Sequence, residues 1–346
     1  METNLLVSGS YDKTIRLWRT PKKLFTFSRK TNLRPLLEVF KFLALKDVIR
    51  VGRVSTQFYE ASFNYEIWAG NPSLQQVGVL EGHTGAIISI AVSKELVVSG
   101  SYDETIRIWD LSTGLQTQVL KGHSNVVFSV AISNKQNFVV SGSGDNTVRV
   151  WSLSNPNQTL VLDGHSDSVL CVAISAKESF IASGSEDQTI RVWNLVSGEQ
   201  TRVLRGSRSV CSVAISNNEE FVVSGGKDGA VVVWSLTFEQ KVRVLNGHTS
   251  WVWSVQISSS DELVASGSGD CTIRIWSLTS GEQTHLLKGH SDSVLSVNLS
   301  ADNKNLVSGS GDHSIRVWDL ESSREIQVLE EHSNAVWSIS FTKLLR

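Results

Sequence analysis

The chain has 346 residues, with 32 Lys plus Arg against 34 Asp plus Glu, a near balance that carries neither the basic signature of a nucleic-acid binder nor an acidic tail. Its three cysteines, Cys171, Cys211 and Cys271, lack the paired spacing of a metal site or a disulfide framework, which suits a reducing compartment. No apolar run reaches membrane-spanning length and residues 1–18 already read as folded structure, so the expectation is a cytoplasmic or nuclear protein without a signal peptide, a transmembrane helix or a membrane partner.

The first elements are two short runs, LLVSGS at 5–10 and TIRLW at 14–18, of the β-branched type that forms strands. After Trp18 the character changes. Residues 19–74 hold three of the four prolines and ten Lys/Arg against four Asp/Glu, net +6, leaving 22 − 30 = −8 for the rest. Leu36, Val39, Phe40 and Leu43 fall at i, i+3, i+4 and i+7, and Val48, Val51, Val54 and Phe58 continue a stripe after Asp47, a suitable helix cap. Asn64 caps a further short helix reaching Trp68. This stretch is predicted to be helical. QQVGVL at 75–80 resumes the extended pattern, with LFTF at 24–27 as the alternative for the same strand.

From residue 82 the chain repeats itself. Trp109, Trp151, Trp193, Trp234, Trp276 and Trp318 stand 42, 42, 41, 42 and 42 residues apart, and with Trp18 they mark seven units. An Asp lies six residues before each Trp (Asp12, Asp103, Asp145, Asp187, Asp228, Asp270, Asp312), and a His opens six units (His83, His123, His165, His248, His290, His332). Inside a unit, VVFSVAIS, FVVSGS and TVRVW read as strands separated by the turn clusters NKQN and GSGD, and a fourth strand such as QTQVL leads to the next Gly-His. The first unit lacks its first strand. AVWSISF at 335–341 supplies it from the far end, so the termini are predicted to share one blade and close the ring.

With its Gly-His start and Trp end, the unit resembles a WD-repeat blade, and seven of them imply an all-β, seven-bladed propeller over 1–18 and 75–346. Residues 36–70, with Asp47-Val48, Arg53-Val54, Phe58-Tyr59 and Ile67-Trp68, resemble an F-box, the module that docks receptors onto the Skp adaptor of cullin-type ubiquitin ligases. The Leu-Pro pair that usually begins an F-box would fall at Asn32, with Pro35 out of register. By this resemblance the 19–74 insertion is a small all-α module binding the adaptor through Leu36, Phe40, Leu43 and Val48, and the propeller carries the substrate. The alternative is a WD-repeat scaffold with a purely structural helical insertion.

The recurrent Ser, His and Asp could be taken for catalytic triads, such as Ser141, His123 and Asp145. Six copies spread over separate blades do not converge on one cleft. In WD-repeat proteins the matching residues form a buried chain from Trp through Ser and His to Asp, here Trp151, Ser141, His123 and Asp145. Neither an enzyme, a metal centre nor a cofactor site is expected. The arginines two residues before most Trp are periodic too and read as blade surface.

Departures from the repeat are more informative. The fifth unit has Gly206-Ser207-Arg208 in place of its Gly-His opening, and Val232 in place of the usual Arg. In WD-repeat propellers the Gly-His loop and the Asp turn share the face that grips peptides. On that face the fifth unit gathers Arg205, Arg208 and Lys227, and the next adds Trp251. Guanidinium groups beside an aromatic ring suit an acidic or phosphorylated peptide.

Overall fold

The computed structural model describes residues 3–19, 74–155, 158–206 and 208–344. The helical insertion expected at 19–74, and the LFTF alternative within it, fall almost wholly on 20–73 and lie outside the described residues.

The strands form seven four-stranded antiparallel sheets, numbered here as blades in ring order. Blade 1 joins the two ends of the chain, in the order Val336–Leu344, Thr3–Ser10, Ile15–Arg19 and Gln75–Leu80. Its first two strands pair with Leu6 opposite Phe341 and Ser8 opposite Ile339. Blade 3 is representative of the others, with Val127–Ile132 innermost, then Phe138–Ser143, Val148–Ser152 and Thr159–Leu162 outermost. Each innermost strand touches those of the two adjacent blades, and contact between the Val336–Leu344 and Ile87–Val92 strands completes the circle.

The core lies between blades. Val139 packs in a cluster with Val98, Ile106 and Ile108 of blade 2, whereas its neighbour Val140 packs with Val169, Val172 and Trp193 of blade 4. Because successive side chains of a strand point to opposite faces, a strand buried on both sides needs a continuous apolar run, and FVV supplies it. Adjacent blades then approach too closely for any side chain at the glycine of the SGS segment. A Cβ on Gly142 would stand 2.7 Å from Val169 Cγ1, and one on Gly225 would stand 2.5 Å from Val252 Cγ1.

Hydroxyl groups stitch the same seam. Ser129 Oγ accepts the Val172 N–H of the next blade at 3.1 Å, and Ser89, Ser212, Ser254, Ser296 and Ser338 make the equivalent bond. At the seventh junction the position holds Cys171, whose thiol donates instead to the Val210 carbonyl at 3.8 Å. All three cysteines are free thiols. Burial raises the pKa of the Cys171 thiol, and pushes that of Cys211 to about 12, so neither is poised as a nucleophile.

Candidate binding face

The loops of one face are fixed from below by the repeated polar chain. In blade 3 the Trp151 indole N–H donates to Ser141 Oγ at 2.8 Å, and Ser141 Oγ lies 2.7 Å from His123 Nε2. His123 Nδ1 in turn lies 2.7 Å from Asp145 Oδ2. With the imidazole neutral and its proton on Nδ1, each group donates to the next and none is left unpaired. Asp145 also receives the Thr147 N–H and hydroxyl and the Ser124 N–H, tying the Asp turn to the Gly-His loop.

In blade 1 the chain runs across the termini, from Trp18 to Ser8, His332 and Asp12. Blade 5, without its His, has the Trp234 bond to Ser224 at 2.8 Å, and its exposed Asp228 accepts the Ala230 N–H at 3.1 Å.

Burial alone would raise the carboxyl pKa of these aspartates. Hydrogen bonds from His and from Thr, or Ser314 in the case of Asp312, outweigh it and hold Asp187 and Asp270 down at about 2, with Asp12, Asp103, Asp145 and Asp312 lower still. Burial lowers the pKa of His165 and His248 despite their Asp partners, which fits the neutral tautomer. The Ser hydroxyls are buried and already bonded, so these sets position loops and have no free nucleophile.

The periodic arginines are engaged as well. Arg107, Arg191 and Arg274 donate to Gln116, Gln200 and Gln283 at the start of the fourth strand of their own blade, and Arg316 pairs with Glu325.

On the face so built, the four residues singled out from sequence fall into two sets. Lys227 and Trp251 meet, with Nζ 4.8 Å from the ring centroid. Lys227 also lies 2.6 Å from Glu186 Oε1 of the preceding blade, so its charge is neutralised where it stands. Arg205 and Arg208 are exposed, and no described carboxylate pairs with either. No ring contact joins them to Trp251 among the described residues.

Sequence reasoning paired Trp251 with Trp253 as the alternative to a peptide contact and missed the aromatic contacts beyond that pair. Trp251 lies 5.1 Å from Trp253, which lies 6.0 Å from Trp337, while Tyr11, Tyr102 and Phe128 form a second series at 5.8 and 6.5 Å. Aligning the units would have found them. Phe128, Trp253 and Trp337 hold one register of the inner strand, and Tyr11 and Tyr102 both precede the turn Asp. Leu36, Phe40, Leu43 and Val48 lie outside the described residues.

A closed ring of seven blades, with saturated polar chains beneath an open aromatic face, defines a β-propeller of the protein-interaction class. The chain belongs to the family of the WD domain, G-beta repeat, whose model matches residues 2–19, 74–110, 114–152, 156–194, 198–235, 239–277 and 281–319. Among curated proteins it is similar to WD repeat-containing protein pop2 of Schizosaccharomyces pombe, 29% identical over 165 residues, covering 39% of this chain and 23% of that protein. It is also similar to Cell division control protein 4 of Candida albicans, 32% identical over 132 residues, and of Saccharomyces cerevisiae, 29% identical over 148. Each of those two matches covers 38% of this chain, and they span 14% and 19% of the relatives, so the alignments reach only a minor part of each relative's length.

Proposed function

We propose that this protein is a substrate receptor of a cullin-type ubiquitin ligase, acting in the cytoplasm or nucleus. It docks on a Skp-type adaptor through the F-box-like segment 36–70 and holds an acidic or phosphorylated peptide on the face of the Gly-His loops. The observation that carries the substrate half is the pair of guanidiniums, Arg205 and Arg208, with no described acid partner, on the rim that also holds the exposed Trp251. Arg offers two parallel bonds to a phosphate or carboxylate, and Trp offers area that loses water on binding. The adaptor half rests on the sequence of the segment, and similarity to Cell division control protein 4 is in keeping with both.

Two arms of one experiment test the halves separately. The intact chain should co-purify with a Skp-type adaptor, and Leu36→Ala with Leu43→Ala should abolish this while the propeller stays folded. Arg208→Glu with Trp251→Ala should abolish capture of a phosphopeptide bait, whereas Glu186→Gln, which releases Lys227, should strengthen it. If the unmodified protein fails to bind the adaptor, the ligase reading falls and the scaffold reading takes its place. Undiminished capture by the double variant removes the proposed peptide site.

A further inference from the structure

A second site lies at the opposite end of the inner strands from the Gly-His loops. In four blades the inner strand carries alanine at one register, as Ala91, Ala131, Ala173 and Ala214. The remaining three, blades 6, 7 and 1, carry Gln256, Asn298 and Ser340 there, and their inner strands are neighbours in the ring. These three side chains line one cavity of about 380 Å³, whose walls also include Ile257, Leu299 and Phe341 and no charged group.

Hydrogen bonding at this cavity is incomplete in a specific way. Asn217 and Ser259 donate to the Ser259 and Ala301 carbonyls, and Ser300 donates to Asp302. Gln256 accepts the Leu299 N–H on its carbonyl oxygen, and its amide N–H₂ has no partner among the described residues. The Asn298 carboxamide and the Ser340 hydroxyl have no partner among the described residues.

We propose that this basal cavity binds an uncharged peptide segment led by a carboxamide side chain, Gln or Asn. A carboxamide matches Asn298 with one donor and one acceptor in two parallel bonds, and the Gln256 amide and Ser340 hydroxyl take its remaining capacity. A carboxylate has no donor for the Asn298 oxygen and an ammonium has no acceptor for its nitrogen, and either would bring a charge into a lining without a counter-ion. A sugar would present more hydroxyls than the open groups of this lining can pair. Ile257, Leu299 and Phe341 give the flanking peptide its apolar contact. This site lies apart from the upper face.

The probes are the tripeptides acetyl-Ala-Gln-Ala-N-methylamide and acetyl-Ala-Glu-Ala-N-methylamide, whose caps carry no primary carboxamide, titrated against the full chain at pH 7 by saturation-transfer NMR, with glucose in parallel. The Gln peptide should bind and its Glu isostere should bind at least about tenfold more weakly. Asn298→Ala should weaken the Gln peptide by about three- to tenfold, and Ser340→Ala by a smaller factor. Both variants should fold, because alanine already occupies this register in four blades. Arg208→Glu with Trp251→Ala should leave the binding unchanged, which separates it from the upper face. Equal binding of the two peptides, no binding of either, indifference to both alanine variants, or preference for glucose would overturn the proposal.

Discussion

At the scale of single residues, the repeated polar chain makes the protein's stability depend on acid. Asp187 and Asp270 titrate near 2 in the folded chain, against about 3.9 for an unperturbed Asp, so between those values the folded state binds fewer protons than the unfolded state. Stability from these groups is complete above about pH 4 and is lost as pH falls toward 2. His165 and His248 act in the same direction at higher pH. Their folded pKa lies below the ordinary value, so their contribution is full above about pH 6.5 and declines as the unfolded chain takes up protons. Asp145→Asn should cost about 1–3 kcal/mol at neutral pH and flatten the acid limb of a denaturation series. Asp228→Asn, in the blade without a His, should cost less. Equal losses would contradict the role given to the histidine.

Interlocking blades are the element-scale problem, and glycine is part of its solution. Gly9, Gly100, Gly142, Gly184, Gly225, Gly267 and Gly309 recur in the second strand of every blade, and each faces the Val or Ile that begins the next inner strand. Gly142→Ala should therefore destabilise the chain by about 1–3 kcal/mol through overpacking against Val169. In a Val169→Ala background the added cost should shrink, because the facing methyl groups are gone, and a double-mutant cycle by chemical denaturation reads the difference. Additive losses would mean that the contact at this seam is relaxed by movement of the backbone instead.

The whole molecule is closed by its own ends. Val336–Leu344 pairs with Thr3–Ser10, His332 completes the polar chain of Trp18, and Val336 fills the space over Gly309. Deleting residues 335–346 removes the inner strand of blade 1 and leaves the Thr3–Ser10 strand with an unpaired edge, so it should cost more than about 4 kcal/mol and promote association. A single thermal transition at an unchanged midpoint would refute closure through the termini. How much of this was legible differs by feature. Val139-Val140, the GSGD turns and the Trp spacing each carry a local reason, burial on two faces or a tight turn, and a local reason can be read from one unit.

The sequence by itself determined the number of blades and the sharing of blade 1 between the termini, because each follows from repetition at a fixed period, whereas the chain from Trp151 to Asp145 was implied by the resemblance to WD-repeat blades. Contacts across seams were decided only by the tertiary structure. Lys227 finds Glu186 at 2.6 Å, Trp253 finds Trp337 at 6.0 Å, and Gln256, Asn298 and Ser340 meet around one cavity. These partners lie one or more repeats apart, and their meeting depends on how far each blade rotates about the ring axis. That rotation comes from packing at seven seams together, a property of the closed circle that no single unit encodes.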